Sequence, residues 1–143
     1  SGDMFGDLEL ASNALGICDA ACEQAHAAIK NRQLRGEPLS SQQLVQLKIG
    51  RMNMLTEALR AYIMRVAWEH DQKVHSNNAG LAMNLATDTV QEVTELNMDI
   101  HDGAGRAAER AADKLVRDGF IWSHLAGDTI QRLKVAGRVI RAA

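Results

Sequence analysis

Three features of the sequence predict an all-α fold, an antiparallel four-helix bundle. Apolar residues recur at alternating spacings of three and four, strand-like alternation is sustained nowhere, and the chain has one proline and only 3% aromatic residues. A chain rich in Ala, Leu, Met, Gln and Arg favours helix over sheet. With 46% hydrophobic and 24% charged residues, the 143 residues form one globular domain, 1–143, large enough to bury a core. Ser1-Gly2 ahead of Met4 reads as a tag scar or a cut end.

The first stripe is Leu8, Ala11, Leu15, Cys18, Cys22, Ala25 and Ile29, one face of a long helix whose small residues permit close packing. The polar run from Asn31 to Pro38, with Gly36 inside it, breaks that pattern. Ser40 is the expected amino-terminal cap of the second helix, with Gln43 as its capping-box partner. That helix carries Val45, Ile49, Met52, Leu55, Leu59, Ile63 and Val66 inward and runs to about Asp71. Ser76-Asn77-Asn78 forms a loop and new cap. A third helix points Leu81, Leu85, Thr89, Val93, Leu96 and Ile100 inward. Asp102-Gly103-Ala104-Gly105 interrupts the chain, a shorter charged helix spans roughly 106–117, and Gly127-Asp128 opens the last, capped by Asp128 with Gln131 three residues on.

The composition excludes several classes of function. Net charge is −2, so no strong electrostatic partner is announced. The longest apolar run is far short of the roughly 20 residues of a membrane span, and no secretory signal opens the chain. Two cysteines, four residues apart on one helix, are too few and too poorly placed for a disulfide framework. The expected setting is cytoplasmic and reducing.

Individual clusters are weak as chemistry. Glu23-x-x-His26 copies half of a di-metal carboxylate signature, but no second Glu-x-x-His exists, so no metal site is expected. Cys18 and His26 are separated by ~12 Å of helix, too far to share an ion. Glu69-His70-Asp71, His75 and His101-Asp102 sit at helix ends, where capping and dipole effects account for them. Arg106, Arg110, Lys114 and Arg117 form a basic stripe interleaved with Glu109, Asp113 and Asp118, a solvated face without the aromatic platform of a nucleic-acid binder. Gly103-x-Gly105 follows a helix, not a strand, which excludes a dinucleotide fingerprint.

Taken in order, six segments carry more. Ala14-Leu15-Gly16-Ile17, then Arg32-x-x-x-Gly36-x-Pro38-Leu39 and Gln43-x-x-Gln46-x-Lys48, closely resemble the first two helices of the acyl-CoA dehydrogenase carboxy-terminal domain. Val66-Ala67-Trp68-Glu69 looks like the end of its second helix, and Ile100-His101-Asp102-Gly103-Ala104-Gly105 is similar to its Ile-His-Gly-Gly-x-Gly turn. Asp113-Lys114-Leu115-Val116-Arg117-Asp118 matches its Glu-Lys-Leu-x-Arg-Asp helix, and Gly127 to Arg132 falls where the family has Glu-Gly-Thr-x-Gln-Ile-Gln-Arg. The similarity covers nearly the whole chain, in order and at the right spacing.

The resemblance implies that the chain is one part of a larger FAD-dependent oxidoreductase acting on acyl-CoA thioesters of fatty or steroid metabolism, with homo- or hetero-oligomers formed through the bundle. It implies cofactor contacts from Arg32 to the FAD diphosphate, from Leu39 and Gln43 on the adenine side, and from the Gly103 backbone. A guanidinium fork suits a diphosphate. The reaction needs a carboxylate base, and the family's glutamate aligns with Ala126, which cannot take a proton. Other members place the base on the first bundle helix, and Glu9 lies about one turn from that place, leaving it as the candidate. Arg35, Asp99, Asp102 and Asp128 also depart from the pattern, and carboxylates beside a diphosphate are unfavourable unless cations offset them. Two further readings therefore stand beside the dehydrogenase domain: a non-catalytic assembly subunit, and an isolated helical interaction module. In none of them is the chain expected to turn over substrate by itself.

Overall fold

A computed structural model describes residues 4–126 and 128–143. The Ser1-Gly2 reading and the helix-opening role of Gly127 fall outside them. Five helices follow one another: α1 (Met4–Asn31), α2 (Gln43–Asp71), α3 (Asn78–Ile100), α4 (Arg106–Ala126) and α5 (Thr129–Ala142). The first four make the expected bundle, and α5 lies against α3. Among the described residues no helix is long and apolar enough to cross a membrane.

The core is organised around α1 and α3, which form the most extensive helix pair. Ala11, Ala14, Cys18, Ala21 and Ala25 of α1 are fully buried, as are Ala82, Ala86, Val90, Val93 and Asn97 of α3. Residues this small let two helices approach closely, and the bulkier Leu15, Leu85 and Leu96 pack half-buried along the edges. The buried face of α3 is thus centred on its small residues, rotated from the leucine stripe the spacing predicts. Asn97 donates to Gln24 Oε1 at 2.9 Å, and Arg32 reaches Ile100 O, so the two helices run in the same direction.

Two further expectations need correction, and the connection between α1 and α2 has a shape of its own. Ser40 does not cap α2. It lies in a single 3-10 turn, Leu39–Ser41, and Gln42 precedes the helix without a side-chain cap. Gln46 instead donates from Nε2 to Ser40 O at 3.1 Å. The polar connection before it holds a miniature hairpin, Gln33–Leu34 paired antiparallel with Glu37–Pro38. Its two central residues, Arg35 (φ 55°) and Gly36 (φ 81°), take the left-handed conformation a two-residue hairpin turn requires. Lastly, the charged helix does not stop near Arg117 but continues to Ala126. Gly119 permits this: a Cβ there would sit 3.2 Å from Val90 Cγ2, so the missing side chain lets α4 lie close to α3.

The expected Asp128 cap is present, with Oδ1 accepting from Gln131 N at 2.9 Å. At the α2–α3 corner, the buried Glu69 carboxylate accepts from Ser76 Oγ, from Asn78 Nδ2 at 2.7 Å and from Arg65 Nε at 3.0 Å. Tyr62 donates its hydroxyl to Asn78 Oδ1 at 2.8 Å, extending the network back along α2.

Two outcomes follow from this packing. Gly80 of α3 faces α5, and a Cβ there would lie 2.9 Å from Val135 Cγ2. Gly80→Ala is expected to push α5 off, a net cost of about 1 kcal/mol after overpacking is set against helix propensity. Hydrogen exchange should show α5 amides speeding up several-fold while α1 and α3 stay protected. Glu69 is held below the ordinary carboxylate value of 4.5, first by the Ser76 hydroxyl and then by Asn78 and Arg65, against the opposing effect of burial. A depressed carboxylate stabilises the fold above its unfolded pKa, and the contribution is lost as pH falls through the folded value. Glu69→Gln should therefore cost about 2 kcal/mol at pH 7 and progressively less below about pH 4.5, read by urea unfolding across that range.

Candidate functional site

The carboxyl ends of α1 and α3 meet in one corner, and most of the residues singled out for a cofactor converge there. Arg32 is the first residue after α1. Its backbone carbonyl accepts from Leu39 N at 2.9 Å, which folds the hairpin back on the helix end, and the Leu39 side chain is buried beneath. The Arg32 guanidinium spans to α3, donating from Nη1 to Ile100 O at 3.0 Å and from Nη2 to Asp102 O at 3.3 Å. Gly103 (φ 77°) turns the chain directly below, and a Cβ on it would lie 3.8 Å from Arg32 Nη2. Arg32 and Gly103 are therefore neighbours, whereas Gln43 sits exposed at the start of α2.

Charge in this corner comes from four separate segments. Lys48 Nζ of α2 lies 3.7 Å from Asp99 Oδ2 of α3, and Glu109 of α4 accepts from Gly103 N at 3.0 Å. Lys48, Met98, Asp99, Asp102 and Glu109 line an open cleft beside Arg32. Glu109 was not among the residues picked out for a site; the signal for it is a glutamate six residues past the glycine that starts the turn. One ammonium facing three carboxylates, with the adjoining guanidinium bonded to backbone, does not fit a dianionic diphosphate, which would add like charge to a cleft already negative. No FAD chemistry is derived from this corner.

The opposite end holds the start of α1 and the end of α4. Trp122 Nε1 of α4 donates to Leu10 O of α1 at 2.9 Å, drawing the start of α1 against the last turn of α4. Ala126 closes α4 and is buried, part of the core. Glu9, next to Leu10, is exposed. An open groove between α3, α4 and α5 includes Gln91, Phe120, Ser123, His124 and Ile130. Phe120 and His124 stack with ring centroids 6.2 Å apart. Neither was anticipated, because the sequence reading ended this helix before them; their i, i+4 spacing was the available signal.

The remaining clusters are structural in position. His26 Nε2 lies 3.0 Å from Asn53 Nδ2, linking α1 to α2, and Glu23 is exposed. Cys18 and Cys22 are buried free thiols, and burial, aided by Cys22 and Asp19, pushes Cys18 up to about 12. His101 Nδ1 lies 2.8 Å from Asn97 O at the end of α3. On the charged stripe of α4, Lys114 pairs with Asp118 at 2.8 Å and Arg117 with Asp113 at 3.0 Å.

Known proteins share both the sequence and the shape. A sequence profile described as "Acyl-CoA dehydrogenase, C-terminal domain" matches residues 5–140. The chain is 33% identical over 139 residues to the mitochondrial short-chain specific acyl-CoA dehydrogenase of Bos taurus, covering 96% of this chain and 34% of that protein. It is 28% identical over 138 residues to a probable acyl-CoA dehydrogenase of Bacillus subtilis (strain 168), covering 95% of this chain and 36% of that protein. The solved structure of butyryl-CoA dehydrogenase from Megasphaera elsdenii superposes with a TM-score of 0.85 at 28% identity, covering 94% of this chain and 36% of that one. The chain spans about a third of the length of these relatives. By profile, relatives and fold together, it belongs to the acyl-CoA dehydrogenase family, as a C-terminal helical domain of that family.

Proposed function

We propose that the chain is the assembly domain of a cytoplasmic, FAD-dependent oxidoreductase that removes hydrogens from Cα and Cβ of an acyl-CoA thioester. The observation that carries the assembly role is the outward face of α2. Leu44, Leu47, Arg51, Met54, Ala58, Ala61, Arg65 and Trp68 are all exposed. They repeat at alternating spacings of three and four in a strict seven-residue period, the pattern of a helix seam made for another helix. Leu44, Leu47 and Met54 are 72%, 70% and 56% exposed, and Trp68 59%. Two positions of the seam are arginines, Arg51 paired with Glu92 of α3 and Arg65 with Glu69, while the exposed leucines, Met54 and Trp68 between and beside them are the kind of surface that oligomers cover. In this reading the partner is a second copy or a homologous subunit, and FAD belongs to the intact assembly.

Leu47→Glu combined with Trp68→Glu places two charges on the seam and should weaken self-association by about 100-fold. Light scattering at micromolar concentration is expected to report a species heavier than the 15.6 kDa monomer for the parent chain and a monomer for the double variant. A monomeric parent chain would overturn the assembly role.

For proton abstraction, Glu9 is the carboxylate proposed to act, since position 126 holds a buried alanine. It is exposed and lies at the end of the bundle where α1 meets α4. In the full-length protein, Glu9→Gln should slow solvent deuterium exchange at Cα of a bound acyl-CoA by roughly 10²–10⁴-fold. Unchanged exchange rules Glu9 out.

The second reading, a non-catalytic assembly subunit, is favoured by Ala126 itself: a buried alanine of the core stands where a proton-abstracting carboxylate would be needed. Full-length parent protein that oligomerises but exchanges no Cα proton supports this reading over the first.

A further inference from the structure

Arg32 is the residue on which a cofactor role would most depend, and its surroundings point elsewhere. The last carbonyls of an α-helix lack partners within the helix and must find donors outside it. Here one terminal nitrogen of Arg32 donates to Ile100 O, the last carbonyl of α3, and the other to Asp102 O in the turn that follows. Both carbonyls come just before Gly103 and Gly105, which adopt φ 77° and φ 105°. The far side of the turn is fixed by Glu109, which accepts from Gly103 N. Charged acceptors and donors make such bonds stronger than neutral ones.

We infer that Arg32 is a structural bolt joining the ends of α1 and α3, and that the corner around it repels an anionic diphosphate. The guanidinium is bonded to the protein's own backbone. Asp99, Asp102 and Glu109 outnumber Lys48 in the adjoining cleft, and Lys48 is already paired with Asp99. Lys48 and Asp99 are 3.7 Å apart, well inside the screening length of about 8 Å at physiological salt. The inference is independent of the assembly role proposed above, since it rests on the contacts of Arg32 at the ends of α1 and α3 and not on the exposed leucines, Met54 and Trp68 of α2.

The test has two arms on the 143-residue chain. In the first, thermal unfolding is followed without any ligand. Arg32→Ala is expected to lower Tm by roughly 5 °C or more. Arg32→Lys, which keeps the charge but not the fork, is expected to recover part of that loss. An unchanged Tm for Arg32→Ala overturns the bolt. In the second arm, inorganic pyrophosphate and ADP are titrated while the Arg32 side-chain Nε–H is observed by NMR. The parent chain should show no saturable shift up to about 1 mM, and Asp99→Asn with Asp102→Asn should bind at least about tenfold more tightly. Saturable pyrophosphate binding by the parent chain that Arg32→Ala abolishes overturns the inference. Failure of the double variant to gain binding overturns its electrostatic half.

Discussion

The close approach of α1 and α3 is the constraint from which the rest of the molecule takes its form. Alanines and a cysteine face alanines and valines across this contact, so the two backbones come together without long side chains between them. The larger leucines are displaced to the margins, where α2 and α4 flank the pair. Gly119 of α4 extends the same principle, since its lack of a side chain brings a third backbone up against Val90. The arrangement at both ends of the bundle follows from that geometry. Parallel running of α1 and α3 puts Arg32 under the last turn of α3, and antiparallel running of α1 and α4 puts Leu10 under Trp122.

Much of this was legible in the sequence because it depends on periodicity. The stripes from Leu8 to Ile29 and from Val45 to Val66 fixed two helices, and the spacing of Asp128 to Gln131 fixed a cap. What was misread depends on contacts between distant segments. The charged helix was expected to end near Arg117, and its continuation past Gly119 makes sense only once Val90 is seen to lie against that glycine. Ser40 has the chemistry of a cap, but Leu39 must be buried under Arg32 for the chain to turn, and that demand winds Leu39–Ser41 into a 3-10 turn. The inward face of α3 was assigned to its leucines, whereas close packing prefers the smaller neighbours.

The site divides in the same way. Arg32, Gly103 and the alanine at 126 could be found from motifs, because each sits in or beside a short string whose order resembles the family's. Their meaning could not, because it lies in what surrounds them. Lys48, Asp99 and Glu109 belong to three different helices, and only the folded corner shows that they share one cleft, beside Arg32. Likewise the sequence shows that a glutamate is missing at 126, and the structure adds that the alanine there has become part of the core.

The α1–α3 contact also governs the order in which the chain acquires its shape. Its polar ties join residues far apart in sequence: 73 positions separate Gln24 from Asn97, and 68 separate Arg32 from Ile100. Closing loops of that length carries an entropic cost that local helix formation does not. During synthesis, the hairpin of α1 and α2 is complete while the alanine stripe of α1 still lacks the helix that covers it. A nascent polypeptide at that stage presents an uncovered apolar surface, and so invites chaperone capture, until α3 leaves the ribosome.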